Sequence, residues 1–248
     1  MFSLGQFREV LKVRNSLGQP FIIIGGQAVN FWATRYAAAE VELEAWRPFT
    51  SHDIDFKGNH RDVIHLAQTL KVRARLPSSK EMTALAGAIP LQIAGSPSTI
   101  EIVRLVPGLT EIEIEKHALE REFEGETIRV LDPISLLHAK AKLALRVSQK
   151  ERRDVDHVKI LVYCVRAFLC EALHAAEQDF TLVRGWLGAV EKTLSLTEST
   201  TGARLAERFW VDWTEILPLK EIHRSALPKV IQFRQTRLPI WEQKLNRK

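Results

Sequence analysis

Two cysteines in 248 residues cannot build a disulfide framework of any size. Cys164 and Cys170 fall six apart in one helical pattern, so they point away from each other. They read as reduced core thiols, which suits a cytoplasmic protein, and with no adjacent histidine pair they exclude a zinc centre. The longest apolar stretch, "ILVYCVRAFLC", is interrupted by Arg166 and is too short to cross a bilayer. The opening "MFSLGQFREVLKVR" has Arg and Glu where a secretory signal needs an apolar run, so no export is expected. Internal repeats and low-complexity tracts are absent, and so are the GxGxxG fingerprint and the Walker lysine of common nucleotide folds.

What is present is a globular composition, 46% hydrophobic and 26% charged, with a net charge of +5. The excess is modest, but "KAKLALRVSQKERR" gathers Lys140, Lys142, Arg146, Lys150, Arg152 and Arg153 in one short segment. That segment is either a solvated helix face or a surface for phosphate.

The first half alternates strand-like and helical patterns; the second is helical throughout. "FIII" and "HDIDF" read as strands, "PLQIAG" and "TIEIVRLV" as a hairpin turning at Ser96–Pro97–Ser98, and "ALEREFEGETIRVL" as a second hairpin turning near Gly125. "EIEIE" at 111–115 reads as strand alternation. Asp132 as N-cap with Pro133 at the first helical position marks a helix start. The expectation is an α/β (α+β) protein, with a mixed-sheet domain over 1–131 and a helical domain over 132–248.

Three acidic positions carry the chemical interest. Side chains alternate along a strand, so Asp53 and Asp55 share a face while Ile54 and Phe56 bury the other. Two carboxylates so close repel unless cations hold them, and pairs of divalent ions roughly 3.5–4 Å apart are held this way. Glu101, between Ile100 and Ile102, completes a triad if its strand lies beside "HDIDF"; otherwise it is a solvent-facing glutamate. Ahead of them, Gly25–Gly26 ends one strand and opens a helix, where bare backbone N–H groups can meet an anion. His52 alternates away from Asp53 and is a poor ligand; His138 and His157 read as packed or solvated. Phe209, Trp210 and Trp213 read as core, with base stacking as the alternative.

In this order, these parts resemble the nucleotidyltransferase superfamily whose fold is named after DNA polymerase beta. The pattern is a strand ending in Gly25–Gly26, a helix, the Asp53-Ile54-Asp55 strand, and a later acidic strand bearing Glu101. "RPFTSHDID", "LDPISLLHAKAKLAL" and "RRDVDHVKIL" are similar to elements of the abortive-infection AbiEii-type toxin group, and the likeness spans about residues 20 to 162. The chain departs from the pattern in a long Gly26-to-Asp53 gap around "AAAEVELEAW", in Gly26 where a serine is common, and in glutamate as the third acid.

The resemblance implies transfer of a nucleoside monophosphate from an NTP to a hydroxyl. Asp53, Asp55 and Glu101 would hold two Mg²⁺ ions and do the chemistry. Gly25, Gly26, Ser51, Lys140, Arg153 and Asp154 would bind the nucleotide, with Asp154 orienting Arg153 or Lys140. A purely structural salt-bridge network is the other reading of those last residues. A tRNA or RNA end or a protein hydroxyl would be the acceptor, and a cognate antitoxin a partner, with no membrane role. The alternatives are an inert nucleotide-binding protein, an RNA-binding module using the basic 140–159 segment and the basic carboxy-terminal residues, or an aminoglycoside-type small-molecule enzyme.

Overall fold

The computed structural model describes residues 1–78, 80–150 and 152–246; Arg247 and Lys248 of the basic carboxy-terminal stretch lie outside them. The chain divides into two compact units. One comprises Met1–Arg35 and Arg47–Ala139; the other comprises Tyr36–Trp46 and the chain from Lys140 onward.

The first unit is built on a six-stranded mixed sheet. After a short 3-10 turn (Leu4–Phe7) come α1 (Arg8–Leu11), β1 (Ile22–Ile24) and α2 (Gly25–Tyr36). Then follow β2 (Asp53–Lys57), α3 (His60–Thr69), the β3–β4 hairpin (Leu85–Ile93, Ser96–Val103) and α4 (Glu111–His117). The β5–β6 hairpin (Ala118–Phe123, Glu126–Leu131) leads into α5 (Pro133–Arg146). The strand order is β3-β4-β2-β1-β6-β5. β1 pairs parallel with β6 and antiparallel with β2, while β2 pairs parallel with β4.

Register makes the centre of one face of this sheet apolar. Val130, Ile23, Phe56 and Ile102 lie in one row across four strands, and Ile54, Ile100 and Ile89 in another, each at most 1% exposed. Helix α3 starts where the Asn59 side chain accepts from the Arg61 and Asp62 N–H groups. Asp132 caps α5, its Oδ1 accepting from Ser135 N–H at 2.7 Å, with Pro133 first in the helix. The indole N–H of Trp32 donates to Leu131 O at 2.8 Å, so α2 lies against the sheet without an orphaned buried donor.

Two expectations for this unit fail for local reasons. "EIEIE" is helix α4, because Thr110 accepts from Glu113 N–H and the Glu113 carboxylate accepts from Thr110 N–H. On a strand Ile112 and Ile114 would share a face; here Ile112 is 80% exposed and Ile114 1%. The first hairpin turns at Ala94–Gly95, both left-handed (φ +49° and +78°), rather than at Ser96–Pro97–Ser98. Pro97 is tolerated within β4 because β2 pairs only from Thr99 onward, which leaves no ladder bond for a proline to lose. The second hairpin turns at Glu124–Gly125, as expected.

The second unit is helical. It contains a 3-10 segment (Val41–Trp46), α6 (Asp154–Gln178), α7 (Val183–Glu198) and α8 (Thr200–Phe209), then α9 (Leu219–Arg224), α10 (Pro228–Thr236) and α11 (Leu238–Asn246). Leu161, Cys164, Val165, Leu169 and Leu173 form the buried face of α6. Trp186, Trp213 and Trp241 are buried with their indole N–H groups satisfied by Leu169 O, Gly202 O and Thr197 Oγ1. Trp210, expected in the core, is 82% exposed, since it caps α8 in a left-handed conformation. Among the described residues no helix is long and apolar enough to cross a membrane, and both cysteines are free.

Arg166 is the polar hub of this unit, contacting Glu40, Glu42 and Glu215 at once. Burial alone would lower its pKa, but hydrogen bonds and charge from Glu40 and Glu42 drive it upward. Glu40 is only 7% exposed, so losing Arg166 would strand a buried carboxylate. Arg166→Leu should destabilise the protein by about 3 kcal/mol in chemical denaturation, and adding Glu40→Gln should recover part of that loss.

Candidate functional site

The parallel pairing of β2 with β4 sets Asp55 directly beside Glu101, with Asp53 beside Thr99. Alternation keeps all these side chains on the face opposite Ile54, Ile100 and Ile102. One carboxylate oxygen from each of Asp53, Asp55 and Glu101 lies within 4.8 Å of the others, and all three residues are half-buried. Three hard oxygen donors at that spacing could hold a hard divalent cation.

Neighbouring residues shape this cluster. Ser51 Oγ donates to Asp53 Oδ1 at 2.9 Å. Ser51 is itself held by a backbone bridge to Phe2, with N···O distances of 2.7 and 2.9 Å. Ser98 Oγ donates to His52 O at 2.7 Å, pinning the chain just ahead of β2, and His52 is exposed and outside the strand.

Gly25 is required for a reason beyond flexibility. Its φ is +67°, and a Cβ there would stand 1.7 Å from Asp55 Oδ2. The carboxylate occupies the space a side chain would take. Gly26 follows, buried in the first turn of α2.

Lys140, Arg153 and Asp154 belong to the second unit. Lys140 Nζ meets Asp154 Oδ1 at 2.8 Å and Arg152 Nε meets Asp154 Oδ2 at 2.6 Å, both Lys140 and Asp154 being buried. Asp154 therefore orients Lys140, while Arg153 turns to Asp156 at 3.3 Å. Arg152 is the second partner of Asp154, and nothing in "KERRD" separates it from its neighbour. Burial would raise the Asp154 carboxyl, but the Lys140 charge and the Arg152 and Lys140 hydrogen bonds hold it at about 2. His157 is buried beside them, and desolvation followed by the Lys140 charge holds its imidazole well below the usual value. Its Nδ1 has no hydrogen-bond partner.

No protein-family model and no curated protein matches the chain. Among solved structures it is similar to an antigenic nucleotidyltransferase-like protein from Paracoccidioides brasiliensis. The identity is 15% and the TM-score 0.40, over 79% of this chain and 92% of that one.

Two outcomes follow from this geometry. Gly25→Ala should displace the Asp55 carboxylate and weaken Mn²⁺ or Mg²⁺ binding by titration calorimetry about tenfold or more. Gly95→Ala, at a similar φ with nothing within 4 Å of its Cβ, should leave that binding unchanged. Asp154 has a folded pKa below its unfolded value, so its contribution is complete above pH 4 or so and fades as pH falls toward 2. Wild type should lose about 2 kcal/mol over that window relative to Asp154→Asn, measured by denaturation at each pH.

Proposed function

We propose that the chain is a divalent-cation-dependent nucleotidyltransferase. The supporting observation is the convergence of Asp53, Asp55 and Glu101 from adjacent strands beside a glycine that exists to admit Asp55. Asp53 and Asp55 would hold the cations, with Glu101 completing the set. Magnesium, when bound, neutralises triphosphate charge and lowers the pKa of an acceptor hydroxyl.

The protein's own groups divide the remaining work. Gly25 and Gly26, at the amino end of α2, would offer backbone N–H groups and the positive helix end to the β- and γ-phosphates, beside the Asp55 carboxylate that lies over Gly25. Ser51 keeps Asp53 aimed. Glu101 or Asp55 accepts the acceptor's proton as its oxygen bonds to the α-phosphorus. The α–β phosphoanhydride bond breaks and pyrophosphate leaves. Lys140, fixed by Asp154, is the candidate side-chain phosphate contact; Arg153, engaged with Asp156, is the weaker one.

The finer parts of the reading rest on the sequence motifs. They are membership of the AbiEii-type group, an RNA or protein hydroxyl as acceptor, and a toxin role restrained by an antitoxin.

The test combines binding with transfer. Mg²⁺ and an NTP together should raise the melting temperature, and neither alone should do so as strongly. With α-labelled NTPs and cell extract, label should pass to a macromolecule. Asp53→Asn/Asp55→Asn should reduce that transfer at least roughly 100-fold and abolish the magnesium-dependent stabilisation. Stabilisation without transfer would point to an inert nucleotide binder, and neither signal would end the proposal.

A further inference from the structure

The carboxylates sit at one end of a longer line. Register partners run straight across the sheet: Ile24 opposite Asp55, Asp55 beside Glu101, Glu101 opposite Ala88, and Ala88 opposite Arg75. The last pairing exchanges two backbone hydrogen bonds, Arg75 N–H to Ala88 O at 2.7 Å and Ala88 N–H to Arg75 O at 2.8 Å. Residue 75 thus extends the sheet by one position beyond β3. Register partners send their side chains to the same face, so Asp55, Glu101, Ala88 and Arg75 share one. At about 4.8 Å per strand, the Arg75 backbone stands about 10 Å from that of Glu101.

Between them the only side chain in the row is a methyl group. Ala88 leaves a notch, and a cleft of ≈ 530 Å³ occupies it, with Glu101 and Thr99 on one wall and Arg75 on the other. Pro90 extends the floor and Glu81 stands at the margin. Gly25 and the start of α2 lie on the opposite side of Asp55, beyond β2. If the donor's phosphates take that side, the cleft is where an acceptor meets the carboxylates.

The cleft also has a charge pattern. Arg73 and Arg75 are exposed while Ala74 between them is half-buried, so these two cations line one side of the segment, and Lys71, exposed in the left-handed turn before it, adds a third charge. The ten residues 71–80 contain no acid before Glu81. A lone peptide hydroxyl would leave this strip unmatched, whereas a chain of regularly spaced phosphates satisfies it.

We infer that this cleft is the acceptor subsite and takes the 3′ end of a single strand of nucleic acid. Its terminal hydroxyl lies at Glu101, its sugar and base lie over Ala88 and Pro90, and the preceding phosphate is gripped by Arg75. Guanidinium presents a planar fork to phosphate oxygens, which makes Arg75 the specificity-determining residue. Arg73 and Lys71 follow the backbone outward. This assignment rests on the nucleotidyltransferase reading above.

The full-length protein would be tested with short fluorescent single-stranded RNA and DNA oligonucleotides by anisotropy across a salt series. The same oligonucleotides would serve as acceptors with labelled NTP, and magnesium–NTP thermal stabilisation would be recorded in parallel. Arg75→Ala should weaken oligonucleotide binding about tenfold and flatten the salt dependence by about 0.7 per phosphate lost. It should raise the acceptor KM without altering magnesium–NTP stabilisation. Ala88→Leu, at a half-exposed position, should fill the notch and block transfer to the 3′ end, again with magnesium–NTP stabilisation intact. Arg75→Lys should keep the salt dependence but regain only part of the affinity. RNA and DNA arms separate which sugar the notch accepts. Oligonucleotide binding indifferent to both substitutions, no binding by the wild type, or label found on protein instead would overturn the assignment. Absence of magnesium–NTP stabilisation in the wild type would sink the transferase reading itself, a distinct result.

Discussion

The parallel register of β2 against β4 is the constraint on which the first unit turns. It places Asp55 beside Glu101, two like charges on neighbouring strands, while the same pairing stacks Ile54 on Ile100 and Phe56 on Ile102. Sliding β4 by one residue would separate the carboxylates, but it would also drive Glu101 into the apolar layer and expose Ile100 and Ile102. Burial of those isoleucines therefore holds the repulsion in place. Burial on one face thereby fixes which carboxylates meet on the other.

The two units handle charge in opposite ways. In the helical unit, Asp154 is surrounded by Lys140 and Arg152, and Arg166 gathers three glutamates, so buried charge is satisfied by the protein itself. In the sheet unit, three carboxylates converge on a common point, and Gly25 is kept bare so that one of them can lie over the chain. The first pattern is what stability asks of ionised groups away from water. The second is the geometry of a site that can take up a cation.

How much could be read in advance depended on how local the deciding information was. The Asp53–Asp55 pair follows from two-residue alternation, and the α5 start follows from Asp132–Pro133; both needed only adjacent residues. Glu101 joined them on the condition that its strand lay beside theirs, which the register satisfies. Five alternating residues such as "EIEIE" fit a strand or a helix, and the arbiter, Thr110, sits just outside them. The hairpin turn was misplaced because Ser-Pro-Ser has stronger turn composition than Ala94–Gly95, whose left-handed backbone is the actual device. Arg152 and Arg153 are neighbours whose long side chains part only in space. Arg75 gave no signal at all, since its relation to Glu101 runs through Ala88 and a strand register.

The Phe2–Ser51 bridge bears on how this molecule comes into being. Ser51 steadies Asp53, and Phe2 steadies Ser51, so the acidic cluster is tied to Phe2 as well as to β4. Each tie joins segments far apart in sequence, and such contacts form slowly because a long loop must close first. The cluster cannot exist in a partly synthesised chain that lacks Glu101. The three carboxylates meet only when β4 has paired with β2, so the cluster is a property of the closed sheet and of no single segment.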